Sequence, residues 1–321
     1  MNIPFQSRFS IYMEDMILFK EALGYARSSY EKFLLHFDRF CLSYYPGKEV
    51  LTKELVMEWA IVHPDENANG LKRRMIALRE FGKYLNSVGV DAYTIPSNLI
   101  GSFKPYTPYV FTDDELSAFF MASDNISPHK LSPYRQYIVP VVFRLMYCCG
   151  LRPREVRLIR CSDIDIENGS IYVRNTKMHK DRIVAMSPDM VALCSKYESK
   201  LNRIVENRDF FFQHPDGTAY SAFWLQNQFW KCWQDAGIHS FHGNTKPRVS
   251  DFRHNYATRI MMKWVDERRD LYAWLPYLST YMGHSAFSET AYYIHLLPKH
   301  LMESSSIDWA KFSDLIPEVG K

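Results

Sequence analysis

Residues 137–156 read YIVPVVFRLMYCCGLRPREV. The run from Tyr137 to Cys149 is apolar and stops at Gly150, a residue that readily adopts the left-handed backbone ending many helices. Pro153 fits the first turn of a following helix, where a missing N–H costs nothing. Arg152 then sits at a helix N-terminus, a position that attracts anions. One helix, a glycine stop and a second helix entered through an arginine make this part of the chain helical around a cationic junction.

Outward from that junction, residues 170–175 and 182–187 alternate as two strands do. Thr176-Lys177-Met178-His179-Lys180-Asp181 joins them as a polar, basic hairpin tip. From 188 onward the pattern is mostly helical again. Upstream, Thr112-Asp113-Asp114-Glu115 has the spacing of a capping box and starts a helix. Before it, Pro96, Pro105, Pro108 and Gly101 disfavour helix and mark a linker over 96–110. Residues 11–90 read as helices. Met16, Phe19, Leu23 and Tyr25 begin one apolar stripe, and Phe33, Leu34, Phe37, Phe40 and Cys41 continue another. A third helix is expected over 51–62 and a fourth over 69–85. On the fourth, Lys72, Arg73, Arg74 and Arg79 oppose the apolar face. A solvated flank and a surface that grips phosphates both fit them. The expected organisation is a helical domain over 1–95, the linker, and a second domain over 111–321 with helices, a small β-sheet and a C-terminal tail.

Of 321 residues, 47% are hydrophobic and 23% charged, which suits a packed core and excludes wholesale disorder. Glycine is scarce, and neither a G-x-G-x-x-G nor a Walker A run is present, which argues against a glycine-rich nucleotide cradle. The net charge of +3 is too mild to name a nucleic-acid partner, so such a reading depends on where the charges sit. The six cysteines have no paired spacing and read as buried thiols of a reducing compartment. The N-terminal residues lack a signal peptide's apolar core, and no apolar stretch is long enough to span a membrane. A cytoplasmic protein is expected.

Three separated stretches matter jointly. They are Cys149-Gly150-Leu151-Arg152-Pro153-Arg154-Glu155, then Ser250-Asp251-Phe252-Arg253-His254-Asn255-Tyr256-Ala257-Thr258, then Met282-Gly283-His284-Ser285 followed by Ser288-Glu289-Thr290-Ala291-Tyr292-Tyr293-Ile294-His295. Together they resemble the motifs of the tyrosine recombinase (phage integrase) family: G-L-R-x-x-E, H-x-L-R-H-x-x-A-T and L-G-H-S, then a tyrosine nine residues past the histidine. The hairpin tip resembles the family's lysine-bearing β-turn. The resemblance spans about 110–300. It implies a mainly α fold with a small β-sheet: a helical N-terminal core-binding domain and an α+β catalytic domain. The implied function is a site-specific recombinase or integrase that cuts and rejoins double-stranded DNA through a 3′-phosphotyrosine. It further implies a homotetramer on paired sites, with no metal or nucleotide cofactor. A type IB-like topoisomerase and a DNA-binding protein that no longer cuts are the alternatives.

The residue types suit that chemistry. Attack on a phosphodiester spreads negative charge over non-bridging oxygens, which forked, permanently charged guanidiniums can hold. Arg152 and Arg253 are the candidates. Tyr293 is the candidate nucleophile, with Tyr292 its rival, because Tyr293 lies nine residues past His284 and two before His295. Lys177 is the candidate general acid for the leaving 5′-oxygen, and Lys180 its rival. His284 would donate to a phosphate oxygen, and Glu155 would orient basic neighbours. One position departs from the family pattern. Ser250 stands where the family has a histidine three residues before the second arginine, and serine cannot act as a base near neutral pH. Its bland reading is an N-cap for the helix beginning near Asp251. His254 lies one helical turn further on the same side. The family also has a histidine there, read as buried. Lys72, Arg73, Arg74, Lys180 and Arg248 are candidate DNA-backbone contacts.

Overall fold

The computed structural model describes residues 4–61, 66–101, 103, 106–174, 181–239, 241 and 245–296. The chain divides into two compact units, Met1–Tyr106 and Thr107–Lys321.

The first unit holds helices α1 (Ser10–Ala22), α2 (Glu31–Tyr44), α3 (Lys53–Trp59), α4 (Ala68–Ser87) and the short α5 (Ser97–Ile100). Two of them start at side-chain caps: Thr52 accepts from the Leu55 amide, and Asn67 from the Gly70 amide. The core gathers Phe9, Met13, Met16 and Ile17 with Leu34, Phe37 and Cys41, then Leu55, Val56 and Trp59, then Leu78, Phe81 and Leu85. The α1 stripe differs from expectation. Met13, Met16 and Ile17 are buried, whereas Phe19, Leu23 and Tyr25 are exposed. Phe19 lies two residues past Ile17, about 200° around the helix, and Leu23 and Tyr25 fall beyond the last turn.

Arg74 is a correction. It is 3% exposed, and its Nε and Nη2 bond the Glu66 carboxylate at 3.0 and 2.7 Å. It also bonds the carbonyls of Trp59 and Ile61 and lies over the Trp59 ring. Three consecutive helical residues point about 100° apart, so Lys72, Arg73 and Arg74 cannot share one surface. Arg73 is exposed and Lys72 is half-buried, with Nζ 5.9 Å from the Phe103 ring. Arg74 instead ties the start of α4 to the end of α3.

The second unit opens on α6 (Asp113–Asp124), whose capping box is formed: Glu115 N donates to Thr112 Oγ1 at 3.2 Å, and Thr112 N to Glu115 Oε2 at 2.9 Å. Tyr109 and Phe111, inside or just beyond the expected linker, are buried in this unit's core. Asn255 holds them there, accepting from Phe111 N and donating to Tyr109 O, both at 2.9 Å. Next come α7 (Arg135–Cys149), α8 (Pro153–Leu158) and an antiparallel sheet of β1 (Ile164–Asp165), β2 (Ser170–Val173) and β3 (Arg182–Ala185), in that order. β2 and β3 pair from Ser170↔Ala185 to Val173↔Arg182. β3 stops earlier than expected because Ser187 caps the next helix through Met190 N. The two-residue β1 was too short to announce itself. The remaining helices are α9 (Pro188–Leu201), α10 (Ala222–Asp235), α11 (Asp251–Asp266), α12 (Leu271–Met282) and α13 (Phe287–Ala291), followed by a 3-10 turn over Tyr292–Leu296. Phe119 of α6, Phe143 of α7, Phe229 of α10 and Phe252 of α11 interlock with centroids 5.2–6.2 Å apart and lock those four helices together. Among the described residues no helix is long and apolar enough to cross a membrane.

Candidate active site

Two helix ends build the site. α7 terminates at Gly150, with φ +64°, and a Cβ there would lie 2.6 Å from the Tyr256 ring, so only glycine fits. α12 terminates in the same way at Gly283, with φ +63°. The last carbonyls of a helix have no partner within it and carry partial negative charge. Here they receive guanidiniums. Arg253 Nη1 donates to Gly150 O at 2.6 Å, and Nη2 donates to Met282 O. Arg152 Nη2 donates to Gly283 O at 2.8 Å. Arg152 and Arg253 stand 101 positions apart in sequence and are brought to one place by the ends of α7 and α12.

Glu155 joins them. It accepts from Arg152 N at 2.8 Å and from Arg152 Nη1 at 2.7 Å. Arg182 adds a two-pronged pair at 2.9 and 2.8 Å, and Arg253 Nη1 lies 3.9 Å away. Burial raises the Glu155 carboxyl, but Arg182 and Arg152 outweigh it and hold it down to about 2. One carboxylate therefore faces three guanidiniums, and the cluster stays net positive. Burial, with Arg152 alongside, brings Arg253 down to about 10, still charged at neutral pH.

Arg182 was not singled out in the sequence. A signal existed: alternate strand residues share a face, and Val184 of β3 is buried while Ile183 is exposed. Arg182 therefore points inward with Val184, and a buried charge needs a partner.

Tyr293 lies in the 3-10 turn after α13 and is 3% exposed. Its hydroxyl is 3.1 Å from His254 Nδ1, and its ring lies 5.9 Å from the His284 ring at 30°. Burial raises the phenol, while the charges of Arg253 and Arg152 pull it the other way. Tyr292, the neighbouring candidate, hydrogen-bonds Thr107. His284 Nδ1 sits 2.7 Å from the hydroxyl of fully buried Thr290. Burial and the two arginines lower His284 to about 3, so its ring is neutral at pH 7. If Thr290 donates to Nδ1, the single ring proton lies on Nε2.

Ser250 occupies the N-cap position of α11, but its hydroxyl makes no capping bond. Its backbone is helical, at φ −64° and ψ −20°, rather than extended as a capping residue usually is. The buried Asp251 carboxylate instead accepts from Arg248 N at 2.7 Å, which ties the preceding turn to the start of the helix. Arg248 itself is exposed. Lys177 and Lys180 lie outside the described residues. Among the described residues no group of three or more His, Cys, Asp and Glu could hold a metal ion.

Known proteins resemble this chain in sequence and in fold. Residues 110–300 match the phage integrase family. A Sinorhizobium fredii protein named as an integrase/recombinase, y4rE, is 30% identical over 288 residues, covering 88% of this chain and 90% of that one. The solved XerH site-specific recombinase bound to palindromic difH substrate has the same fold, with TM-score 0.65 and 19% identity over 90% of this chain and 80% of that one. So does a lambda integrase tetramer bound to a Holliday junction, with TM-score 0.61 and 16% identity over 88% and 76%. The family match takes in all the elements that carry Arg152, Glu155, Arg182, Arg253, His284 and Tyr293, and this chain belongs to the phage integrase family of tyrosine recombinases.

Proposed function

We propose that this chain cuts and rejoins duplex DNA at specific sites through a covalent link on Tyr293. The observation that carries the reading is the Tyr293 hydroxyl placed beside the cationic cluster of Arg152, Arg253 and Arg182 around a single carboxylate. The phenol oxygen attacks the scissile phosphorus, the bond to the 5′-oxygen breaks, and a 3′-phosphotyrosine remains. Arg152 and Arg253 hold the non-bridging oxygens as charge builds on them. One such preorganised donor is worth roughly 3–4 kcal/mol in other enzymes. His284 donates from Nε2 to the same phosphate. Lys177, assigned from the hairpin tip, protonates the departing 5′-oxygen. The ester energy is kept in the covalent link, so religation needs no nucleotide. Four protomers on two sites would exchange strands in pairs through a Holliday junction.

The test is a nicked duplex drawn from DNA that the protein binds, in which the cut strand diffuses away. A covalent protein–DNA adduct is the expected product, and two such sites should give Holliday junctions. Relaxed plasmid without junctions would point to a topoisomerase, and binding without adduct to a protein that no longer cuts.

Two smaller effects follow. Thr290→Val should slow adduct formation about fivefold to tenfold, the worth of one hydrogen bond of ~1 kcal/mol, while Thr290→Ser keeps the rate. Equal rates for Thr290→Val and the parent in single-turnover measurements would show that His284 does not depend on this bond. In the first unit, Lys72→Ala and Arg73→Ala should each weaken DNA binding alike across sequences and reduce the salt slope by about 1. Arg74→Ala should leave that slope unchanged and lower the melting temperature, because its guanidinium is spent inside the fold.

A further inference from the structure

We propose that His254 is the base of the reaction, the group that takes the Tyr293 proton as the phenol oxygen attacks; this rests on Tyr293 being the nucleophile. His254 Nδ1 stands 3.1 Å from the Tyr293 hydroxyl, hydrogen-bond distance without any rearrangement. The two rings are 5.4 Å apart at 53°, so the contact runs edge to edge through polar atoms rather than through stacked faces.

The other polar groups around the phenol are unsuited. Glu155 is engaged by Arg152 and Arg182 and held at about 2, too acidic to keep a proton. His284 Nδ1 is engaged by Thr290, and the Glu289 carboxylate, whose charge also reaches the phenol, accepts from Ser285 N and Oγ at 3.1 and 3.2 Å. Arg253 hydrogen-bonds the phenol but is a cation with no lone pair to offer. Ser250 is a hydroxyl, not a base. His254 remains, and it is neutral: burial, then the charges of Arg253 and Arg248, lower it to about 4. Among the described residues, the titratable and charged groups facing it include Arg253 on its own helix, Arg248 just before that helix, His284 after α12, and Tyr293 in the final turn.

The step balances. Neutral His254 carries its proton on Nε2 and its lone pair on Nδ1. As the Tyr293 oxygen bonds to phosphorus, the phenol proton moves to Nδ1 and gives an imidazolium. The electron pair of the breaking P–O bond goes to the 5′-oxygen, which takes a proton from the acid assigned to Lys177. Religation runs the same path backward, and His254 returns the proton to the tyrosine oxygen. The repulsion that keeps the imidazole neutral comes from arginines, and an incoming phosphodiester anion offsets that repulsion as the reaction begins.

The experiment compares the full chain with His254→Asn and His254→Ala in single-turnover adduct formation on the nicked duplex, from pH 5.5 to 9.5. Asparagine can accept a hydrogen bond near the Nδ1 position but cannot take a proton. The expected result for His254→Asn is a rate about 10²–10⁴-fold lower at neutral pH, with DNA affinity and melting temperature preserved. The residual rate should climb with pH, because the phenol must then ionise unaided. Fluorinated tyrosine at 293, a more acidic phenol, should restore His254→Asn and His254→Ala far more than it accelerates the parent. S250H combined with H254N should also recover rate, since it supplies an imidazole one helical turn away. Parent-like rates in both variants overturn the proposal. So does a slowed variant whose pH profile is unchanged and which ignores fluorination, for that is a structural role. If the parent itself forms no adduct on any duplex it binds, the recombinase reading falls and this proposal falls with it. An adduct in the parent that is indifferent to His254 removes this proposal alone.

Discussion

Tyr293→Phe should eliminate the covalent adduct, a loss of at least about 10⁴-fold by comparison with nucleophile deletions elsewhere, while DNA affinity stays near that of the parent. The reason is chemical: phenylalanine keeps the ring and lacks the only atom that bonds to phosphorus. Folding should barely change. The ring sits in a cluster with Ala257, Met261, Leu275 and Ile294, and phenylalanine preserves those contacts. The bonds to His254 and Arg253 are lost, at a cost of about 1 kcal/mol each. Tyr292→Phe is the matched control and should retain the adduct, because Tyr292 bonds Thr107 instead. Denaturing gels of both variants on the nicked duplex decide the matter. An adduct that survives in Tyr293→Phe and vanishes in Tyr292→Phe would move the nucleophile by one residue.

Glu155→Gln should strongly destabilise the fold. Glu155 and Arg182 side chains are 6% and 8% exposed, and removing one partner of a buried pair typically costs 3–5 kcal/mol. The pH dependence has a definite sign. The folded carboxyl is held below its ordinary 4.5, at about 2. Its contribution is therefore fully present above the unfolded value and is lost as pH falls toward the folded one. That lowering corresponds to about 3 kcal/mol. Urea unfolding of the parent and Glu155→Gln should differ most at pH 6–7 and converge between pH 4.5 and 2. A gap that stays constant over that range would show that Glu155 does not carry this charge pairing. Adduct formation should fall with it by about 10²–10³, because Arg152 and Arg182 lose the carboxylate that orients them.

Much of the fold was legible because it is written in local chemistry. The Thr112 capping box, the Gly150 stop, Pro153 in the first turn of α8 and the hairpin strands each depend on residues within a few positions of one another. The failures share a cause. Arg73 and Arg74 look alike in a string of letters, yet one faces solvent and the other is packed against Trp59 and Glu66. Ser250 has the right type for a cap, but its backbone conformation withholds the geometry. Phe19 and Leu23 extend an apolar pattern past the arc that α1 actually buries.

The site divides along the same line. Motif and spacing single out Arg152, Arg253, His284 and Tyr293 as candidates, because each belongs to a short stretch whose residue types repeat a family's pattern. Which of them touch, and what else joins them, depended on bringing the ends of α7 and α12, the start of β3 and the final turn to one point. Arg182 reaches Glu155 across 27 positions and His254 reaches Tyr293 across 39. Contacts of that kind leave no periodic trace in the chain. They arise only when burial forces a lone charge or a hidden ring nitrogen to find a partner, and packing alone determines which partner is near.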